Sequence, residues 1–294
     1  MIEFRCQNNI LCAVGAHVDG LYRLQCEARP GLSVPSTRAL SIGGCAFNVA
    51  AGLSRLGNRV SHAGLRGRDS DGDAVVRSLA RWGIADVGIE LPGETTGHYA
   101  ALIQPDGSLA LATAAMGIYM HAERLLHHEA FRRAAEAADA MVLDANAPPG
   151  ANVALAAARG ENTRLALLAT SADKATSLEP LLPEAAIVFA NESEWSALSG
   201  RDRAVLAIVT RGARGVSVRE HGRMVAEFAA PPATVVDVVG AGDALCVGTL
   251  DAWLRGAPIR DAVAWGATLA ARCVSHVGAL GWLEATDGAR GLDP

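Results

Sequence analysis

Short apolar runs alternate with helix-period stretches along most of this 294-residue chain, and that alternation limits the architectures open to it. Ile10–Val14, Val60–Gly64, Met141–Asp144, Arg164–Ala169, Ile187–Phe189 and Ala207–Thr210 read as buried strands. Between them lie helical patterns. Ala46, Phe47, Ala50, Ala51, Leu53 and Leu56 share one side of a helix that Gly43-Gly44 opens and Gly57 stops. Asp71–Trp82, ended by Gly83, and Gly150–Ala158 follow, and two long helices, Ala241–Leu254 and Ile259–Val274, close the series. Repeated βα units require a mostly parallel sheet with helices on both faces, so the expected fold class is α/β. With 50% hydrophobic and 19% charged residues the chain can fill such a core, although at 4% aromatics Ala, Gly and Val must do the packing.

Two stretches interrupt the alternation. Residues 21–42 are irregular, with Pro30, Gly31 and Pro35 as breakers. Residues 93–113 hold two strand-like runs, Tyr99–Ile103 and Leu109–Thr113, around the turn Gln104-Pro105-Asp106-Gly107-Ser108. Together they predict a small accessory β-sheet that projects from the main domain. A hairpin-like pattern also spans Gly215–Phe228.

Several function classes are excluded at this level. A formal charge of -5 offers no basic surface for a polyanion, so no nucleic-acid partner is expected. Cys6, Cys12, Cys26, Cys45, Cys246 and Cys273 are scattered without a Cys-x-x-Cys pair, which speaks against a zinc site or a disulfide framework. No apolar run is long enough to cross a bilayer, and Met1–Cys6 lacks the basic-then-apolar pattern of a signal peptide. The expectation is a cytoplasmic protein with free thiols and no membrane partner.

Chemistry concentrates in Asp237-Val238-Val239-Gly240-Ala241-Gly242-Asp243, which runs straight into the Ala241–Leu254 helix. Small residues at a helix start leave backbone N–H groups uncovered, with the positive end of the helix dipole behind them. Asp243 beside such an anion hole makes sense as a base that takes the proton from a hydroxyl attacking phosphorus. There is no Gly-x-x-x-x-Gly-Lys-Ser/Thr loop, and Leu245 stands where a dinucleotide fingerprint needs Gly or Ala. A second stretch, Gly43-Gly44-Cys45-Ala46-Phe47-Asn48, allows close backbone approach at Gly43-Gly44 and offers the Asn48 amide to sugar hydroxyls.

Together the two stretches resemble the signatures of the PfkB (ribokinase-like) family of carbohydrate and nucleoside kinases, and the resemblance covers nearly the whole chain. It implies one ribokinase-like kinase domain over residues 1–294, with a small β lid near 21–42 and 93–113 and a homodimer formed through it. It casts Asp243 as the catalytic base, the backbone of Gly240, Ala241 and Gly242 as the anion hole, and Asp237 as a monovalent-cation residue. Asn191-Glu192-Ser193-Glu194 looks like the family's Asn-x-x-Glu. That motif implies that Asn191 and Glu194 act around magnesium, Glu194 through water, and around the ATP phosphates; ordinary helix capping by Asn191 is the competing reading. Thr210-Arg211-Gly212-Ala213-Arg214-Gly215 resembles the strand–turn that cups the nucleotide, against a plain β-turn. Asp19 matches the acid that grips two sugar hydroxyls, although its interval from Gly15 is one residue shorter than the family's. Gly43, Gly44 and Asn48 complete the acceptor side. His17 reads as a satisfied loop residue and His98 as a lid contact.

Within the family the middle of the chain looks most like the pseudouridine kinases. Gly93–Tyr99, the 115–118 loop, Leu143-Asp144-Ala145-Asn146 and Lys174 carry that likeness, with Asn146 where ribokinases place Glu. The implied activity is ATP- and magnesium-dependent phosphorylation of a nucleoside 5′-hydroxyl, with potassium as an activator. A free sugar or purine nucleoside is the alternative acceptor, and a non-catalytic sugar or nucleoside sensor the alternative class. One departure is structural: where relatives carry a full helix between Gly200 and Ala207, only Arg201–Leu206 remains. The strand at Ala207 is therefore expected to be covered by another subunit or by a shifted helix.

Overall fold

The computed structural model describes residues 7–284. Its centre is a ten-stranded sheet in the order β14-β13-β12-β11-β10-β9-β1-β4-β5, with β6 beside β4. The strands are β1 (Asn9–Val14), β4 (Arg59–Gly67), β5 (Ala85–Asp86), β6 (Ile89–Leu91), β9 (Ala140–Asp144), β10 (Arg164–Leu168), β11 (Ile187–Asn191), β12 (Leu206–Thr210), β13 (Val216–Glu220) and β14 (Arg223–Phe228). From β12 to β5 neighbouring strands pair in parallel, and the β13–β14 hairpin adds an antiparallel edge. Parallel strands are buried on both faces, which is why these segments read as unbroken apolar runs rather than alternations.

Successive β1 side chains divide the core. Leu11 and Ala13 face one layer, formed with α3 (Glu129–Ala137), α4 (Pro149–Ala157) and α6 (Glu192–Ala197) through Phe131, Leu155 and Trp195. Ile10 and Cys12 face the other, formed with α1 (Cys45–Arg55), α2 (Ser70–Arg81), α7 (Ala241–Leu254) and α8 (Ile259–Cys273) through Phe47, Leu79, Leu250 and Val263. Burying one Leu- or Phe-sized side chain in either layer contributes about 1.5–3 kcal/mol. Cys12, Cys26, Cys45, Cys246 and Cys273 are free thiols, and Cys6 lies outside the described residues. No helix among the described residues is long and apolar enough to cross a membrane.

A second sheet of four strands has the order β3-β2-β7-β8, from β2 (His17–Leu24), β3 (Ser36–Gly43), β7 (His98–Ile103) and β8 (Leu109–Ala115). It draws on both interrupting stretches. The segment read as irregular is therefore half strand, with the breakers Pro30, Gly31 and Pro35 confined to the β2–β3 link.

Of the two covers expected over β12, another subunit or a shifted helix, the fold rules against the subunit. Ala207, Ile208 and Val209 are all at most 1% exposed in the single chain. Ala207 and Val209 pack in the layer that holds Trp195, Leu198 and Ala204, and Ile208 in the layer that holds Val218 and Leu250. Its own chain covers the strand, and no partner subunit is required there.

Candidate active site

The carboxyl ends of β1, β9, β10, β11 and β12 and the start of α7 meet at one rim of the main sheet, the place where open α/β sheets bind ligands. A cleft there is lined by Cys45, Leu168, Thr170, Asn191, Glu194, Thr210, Gly242, Asp243 and Cys246, among others.

At its base, α7 is entered through Gly240 at φ 80°, with no side-chain cap. A Cβ at Gly240 would lie 2.5 Å from Ala279, so only glycine turns the chain there. The first backbone bonds of the helix run from Ala241 N–H to the Val238 carbonyl (3.3 Å) and from Ala244 N–H to the Gly240 carbonyl (2.8 Å). Among the described residues, the Gly242 and Asp243 N–H groups have no protein partner. Gly242 is exposed, with nothing within 4 Å of where a Cβ would stand. Two free N–H groups at the positive end of a fourteen-residue helix make an anion site.

Asp243 is half-buried in the first turn. Burial pushes its carboxyl up to about 6, against the lowering effect of hydrogen bonds from the Asn48 amide and the Cys45 thiol, while the Asp144 and Glu194 charges push it further up. Asn48 Nδ2 donates to Asp243 Oδ2 at 2.8 Å, across 195 residues of chain. Asn48, expected to face the acceptor, is thus bonded to Asp243, and its buried Oδ1 has no partner among the described residues.

Asp237 closes the turn from outside, accepting from Val239 N–H at 3.0 Å and Gly278 N–H at 2.9 Å. Asn191 and Glu194 form a capping box at the start of α6: Asn191 Oδ1 accepts from Glu194 N–H, and Glu194 Oε2 accepts from Asn191 N–H. The competing capping reading is therefore real, yet both residues also line the cleft. Burial raises the Glu194 carboxyl. Thr210 reaches the cleft, whereas Gly212 and Gly215 lie in the turn beyond β12, Gly215 packed onto the Phe228 carbonyl.

The residues expected on the acceptor side form a second group. Asp19 lies on β2 opposite Ser41, and a Cβ at Gly43 would fall 1.9 Å from Asp19 Oδ2. Gly44, at φ 108°, abuts the Gly15 carbonyl. Asn146 follows β9; its Oδ1 accepts from Lys174 Nζ at 2.6 Å, and its buried Nδ2 lies towards the Asp144 carboxyl, which it helps hold down, without a partner at full hydrogen-bond geometry among the described residues. His17 is a buried strand residue rather than a loop residue, placed between Tyr119 and Asp19. His98 lies on β7 and bonds Asp71 of α2 at 2.9 Å.

Three features escape the sequence patterns. Asp144 is fully buried at the end of β9, where its carboxylate accepts from Asn146 N–H (3.0 Å) and Ala46 N–H (3.3 Å); it thereby caps α1 from another element, and burial raises its carboxyl. A local window cannot show a cap that lies 98 residues away. Cys45 meets Asp243 only in the fold. Val14 at φ 88° and Thr170 at φ 64° hold strained backbone at two strand ends beside the cleft, a pattern common at functional sites.

Residues 10–285 match the model of the pfkB family carbohydrate kinases. The pseudouridine kinase of Escherichia coli (strain K12) is 26% identical over 250 residues, which cover 79% of each chain. A carbohydrate kinase from Agrobacterium tumefaciens superposes with a TM-score of 0.82 at 34% identity, over 94% of this chain and 95% of that one. Arabidopsis thaliana ribokinase, solved with ribose and ATP, gives 0.80 at 22% identity over 94% and 96%. With that model spanning nearly all the described residues of a ribokinase-like fold, the chain belongs to the pfkB family of carbohydrate kinases, enzymes that transfer phosphate to a hydroxyl group.

Proposed function

We propose that this enzyme phosphorylates the 5′-hydroxyl of pseudouridine with ATP. Asp243 takes the acceptor hydroxyl proton as the oxygen attacks the γ-phosphorus; the bond from that phosphorus to the ADP oxygen breaks, and the Gly242 and Asp243 N–H groups receive the charge of the moving phosphoryl group. A base near pH 6 suits this task, since it is ionised at neutral pH and still takes up a proton readily. Asp19, above Gly43, would hold the ribose hydroxyls, with Gly44 and Asn48 beside it. Thr210 and the Gly212–Gly215 turn would cup the nucleotide.

The observation that carries the nucleoside reading is Asn146. Lys174 occupies its Oδ1, and its buried Nδ2 acts on the neighbouring Asp144 carboxyl without meeting a partner at full hydrogen-bond geometry, so it can turn to donate to a ligand oxygen. A carboxylate at that place could only accept. The pseudouridine kinase relative adds weight, while the 34% identity to a carbohydrate kinase favours a free sugar as the second reading.

Magnesium fits Asn191 and Glu194, where a cation would relieve a buried carboxylate. Bound there, it would neutralise phosphate charge during transfer. Among the described residues no group of three or more His, Cys, Asp or Glu side chains is arranged to hold a metal, so the ion would be carried mostly by phosphate and water. Asp237, half-buried and among the described residues bonded by N–H donors alone, fits a potassium ion that would steady the turn at the start of α7. We further read the four-stranded sheet as a lid that closes on the acceptor, and its exposed Leu40, Leu109 and Leu111 as support for pairing of two copies through it.

The test is ATP-dependent phosphorylation across a panel of nucleosides and pentoses. Pseudouridine should have the highest kcat/KM, well above uridine. A better rate with ribose or adenosine removes pseudouridine and leaves the kinase; binding without turnover of any acceptor points to a sensor.

A further inference from the structure

We propose that Asn48 is a positioning residue for the proton transfer: its side-chain amide holds one oxygen of the Asp243 carboxylate and leaves the other to the acceptor hydroxyl. This rests on Asp243 as the base proposed above.

Two packed helices set this bond. Asn48 stands one turn into α1 and Asp243 in the first turn of α7, and Asn48 Nδ2 donates to Asp243 Oδ2 at 2.8 Å. Residues four apart share a helix face, so the next contact along the same seam pairs Gly52 with Val247. There the helices touch: a Cβ at Gly52 would lie 2.4 Å from Val247 Cγ2. A side chain at 52 would push α1 off α7 and lengthen the polar contact one turn away. At the far end of the seam, Asn58 Nδ2 donates to Asp251 Oδ1 at 2.7 Å and Arg255 Nη2 to the Leu56 carbonyl at 3.2 Å. The start of α1 is held as well, by Phe47 N–H on the Gly15 carbonyl (3.0 Å) and Ala46 N–H on Asp144 Oδ2 (3.3 Å). Asn48, itself 8% exposed, therefore has little freedom to leave Asp243.

Few groups around Asp243 favour its charged form. Burial opposes that form most, and the charges of Asp144 at the end of β9 and Glu194 of α6 oppose it too. The thiols of Cys246 on α7 and Cys273 on α8 carry no charge near neutral pH, since burial raises both. The Cys45 thiol of α1 acts on the carboxyl as a weak donor. The Asn48 amide is the stronger donor of the two, and an N–H that bonds the ionised carboxylate favours the form a base needs. With Oδ2 so held, Oδ1 takes the acceptor proton. Asn48 Oδ1, buried and without a partner among the described residues, stays open to a hydroxyl of the acceptor, so one amide would span substrate and base. A misplacement on the order of 1 Å at such a group costs as much as about 10²-fold in rate.

The pH dependence of turnover separates this role from a plain acceptor contact. Asn48→Leu keeps the size of the side chain and cannot donate. With the best acceptor of the panel, the acid limb of its kcat/KM profile should move up from about pH 6 by about one pH unit. On the plateau above the limb, kcat should fall about 10–10²-fold through lost orientation. Asn48→Ser, whose hydroxyl ends one bond short of Nδ2, should behave alike, and decides the matter if Asn48→Leu does not fold. A second readout needs no substrate: the gain in Tm from Asp243→Asn at pH 8 should be larger in the Asn48→Leu protein than in wild type. A raised KM for the acceptor with the acid limb and plateau kcat unmoved makes Asn48 an acceptor contact only and overturns the proposal. Equal Tm gains in the two backgrounds overturn it as well. A wild-type profile flat down to pH 5, or an active Asp243→Asn, overturns Asp243 as the base, and the positioning role with it.

Discussion

Asp243 stands at the head of α7, a helix buried without a break from Ala244 to Asp251, whereas Asp19 stands on β2, next to a strand exposed from Ser36 to Ser41. The anion-hole turn is locked by Gly240 against Ala279 and by Asp237 against Gly278, on elements that share the main core. The acceptor end is joined to that core by fewer ties: the Gly43–Gly44 entry to α1, the His98–Asp71 pair, and the Tyr119–His17 pair. A four-stranded sheet with one strand so exposed has little stability of its own. The contrast separates two tasks. Charge stabilisation needs donors that do not move during reaction, while acceptor recognition needs a surface that opens and closes.

The largest expected effect tests the fixed end. Asp243→Asn keeps the shape and removes the base, so kcat should fall about 10²–10⁴-fold while ATP and acceptor still bind. The same substitution should stabilise the fold. Between the ordinary carboxylate value of 3.8 and about 6, folded Asp243 keeps a proton that the unfolded chain has lost. Its contribution to stability therefore falls as pH rises through that window. Removing the charge should add on the order of 1–3 kcal/mol above pH 7, read as a higher Tm. A variant that is active, or no more stable than wild type, contradicts the account of Asp243.

Gly43→Ala tests the other end. Its methyl group would fall 1.9 Å from Asp19 Oδ2, so the carboxylate must turn away. The expected loss in acceptor kcat/KM is about 10–10²-fold, with the KM for ATP close to wild type. Equal damage to both substrates would erase the division between the two ends.

The pH profile follows in size. In the proposed role Asp243 acts as a carboxylate, so kcat/KM should fall below about pH 6 as it takes up a proton, by about tenfold per pH unit. A profile flat down to pH 5 would remove Asp243 as the base. Smallest is the cation effect: rates should be higher in potassium than in sodium or a bulky organic cation, and equal rates would free Asp237 of that role.

The same two regions differ in how far the sequence discloses them. The parallel strands were legible because burial on both faces leaves continuous apolar runs, as in Ile10–Val14, and α7 spans Ala241–Leu254 as its composition indicates. Ser36–Gly43 was not legible as strand, since an exposed strand carries no apolar period. The 3₁₀ stretch Gly117–His127, which supplies Tyr119, and α3 are missing from the sequence reading, although Ile118, Ala122 and Leu125 in the first and Phe131 and Ala135 in the second stand at helical spacing. The Asn48–Asp243 bond and the Asp144 cap on α1 join residues distant in sequence, and no local window reports them.

Hydrogen exchange with and without acceptor tests the contrast most directly. Amides in residues 21–42 and 93–113 should gain protection when acceptor binds in the presence of a non-hydrolysable ATP analogue, while those of α7 from Ala244 to Leu254 stay as protected as in the free enzyme. Unchanged exchange in both lid segments, or a gain of protection spread equally through α7, would contradict a fixed phosphate end facing a closing acceptor end.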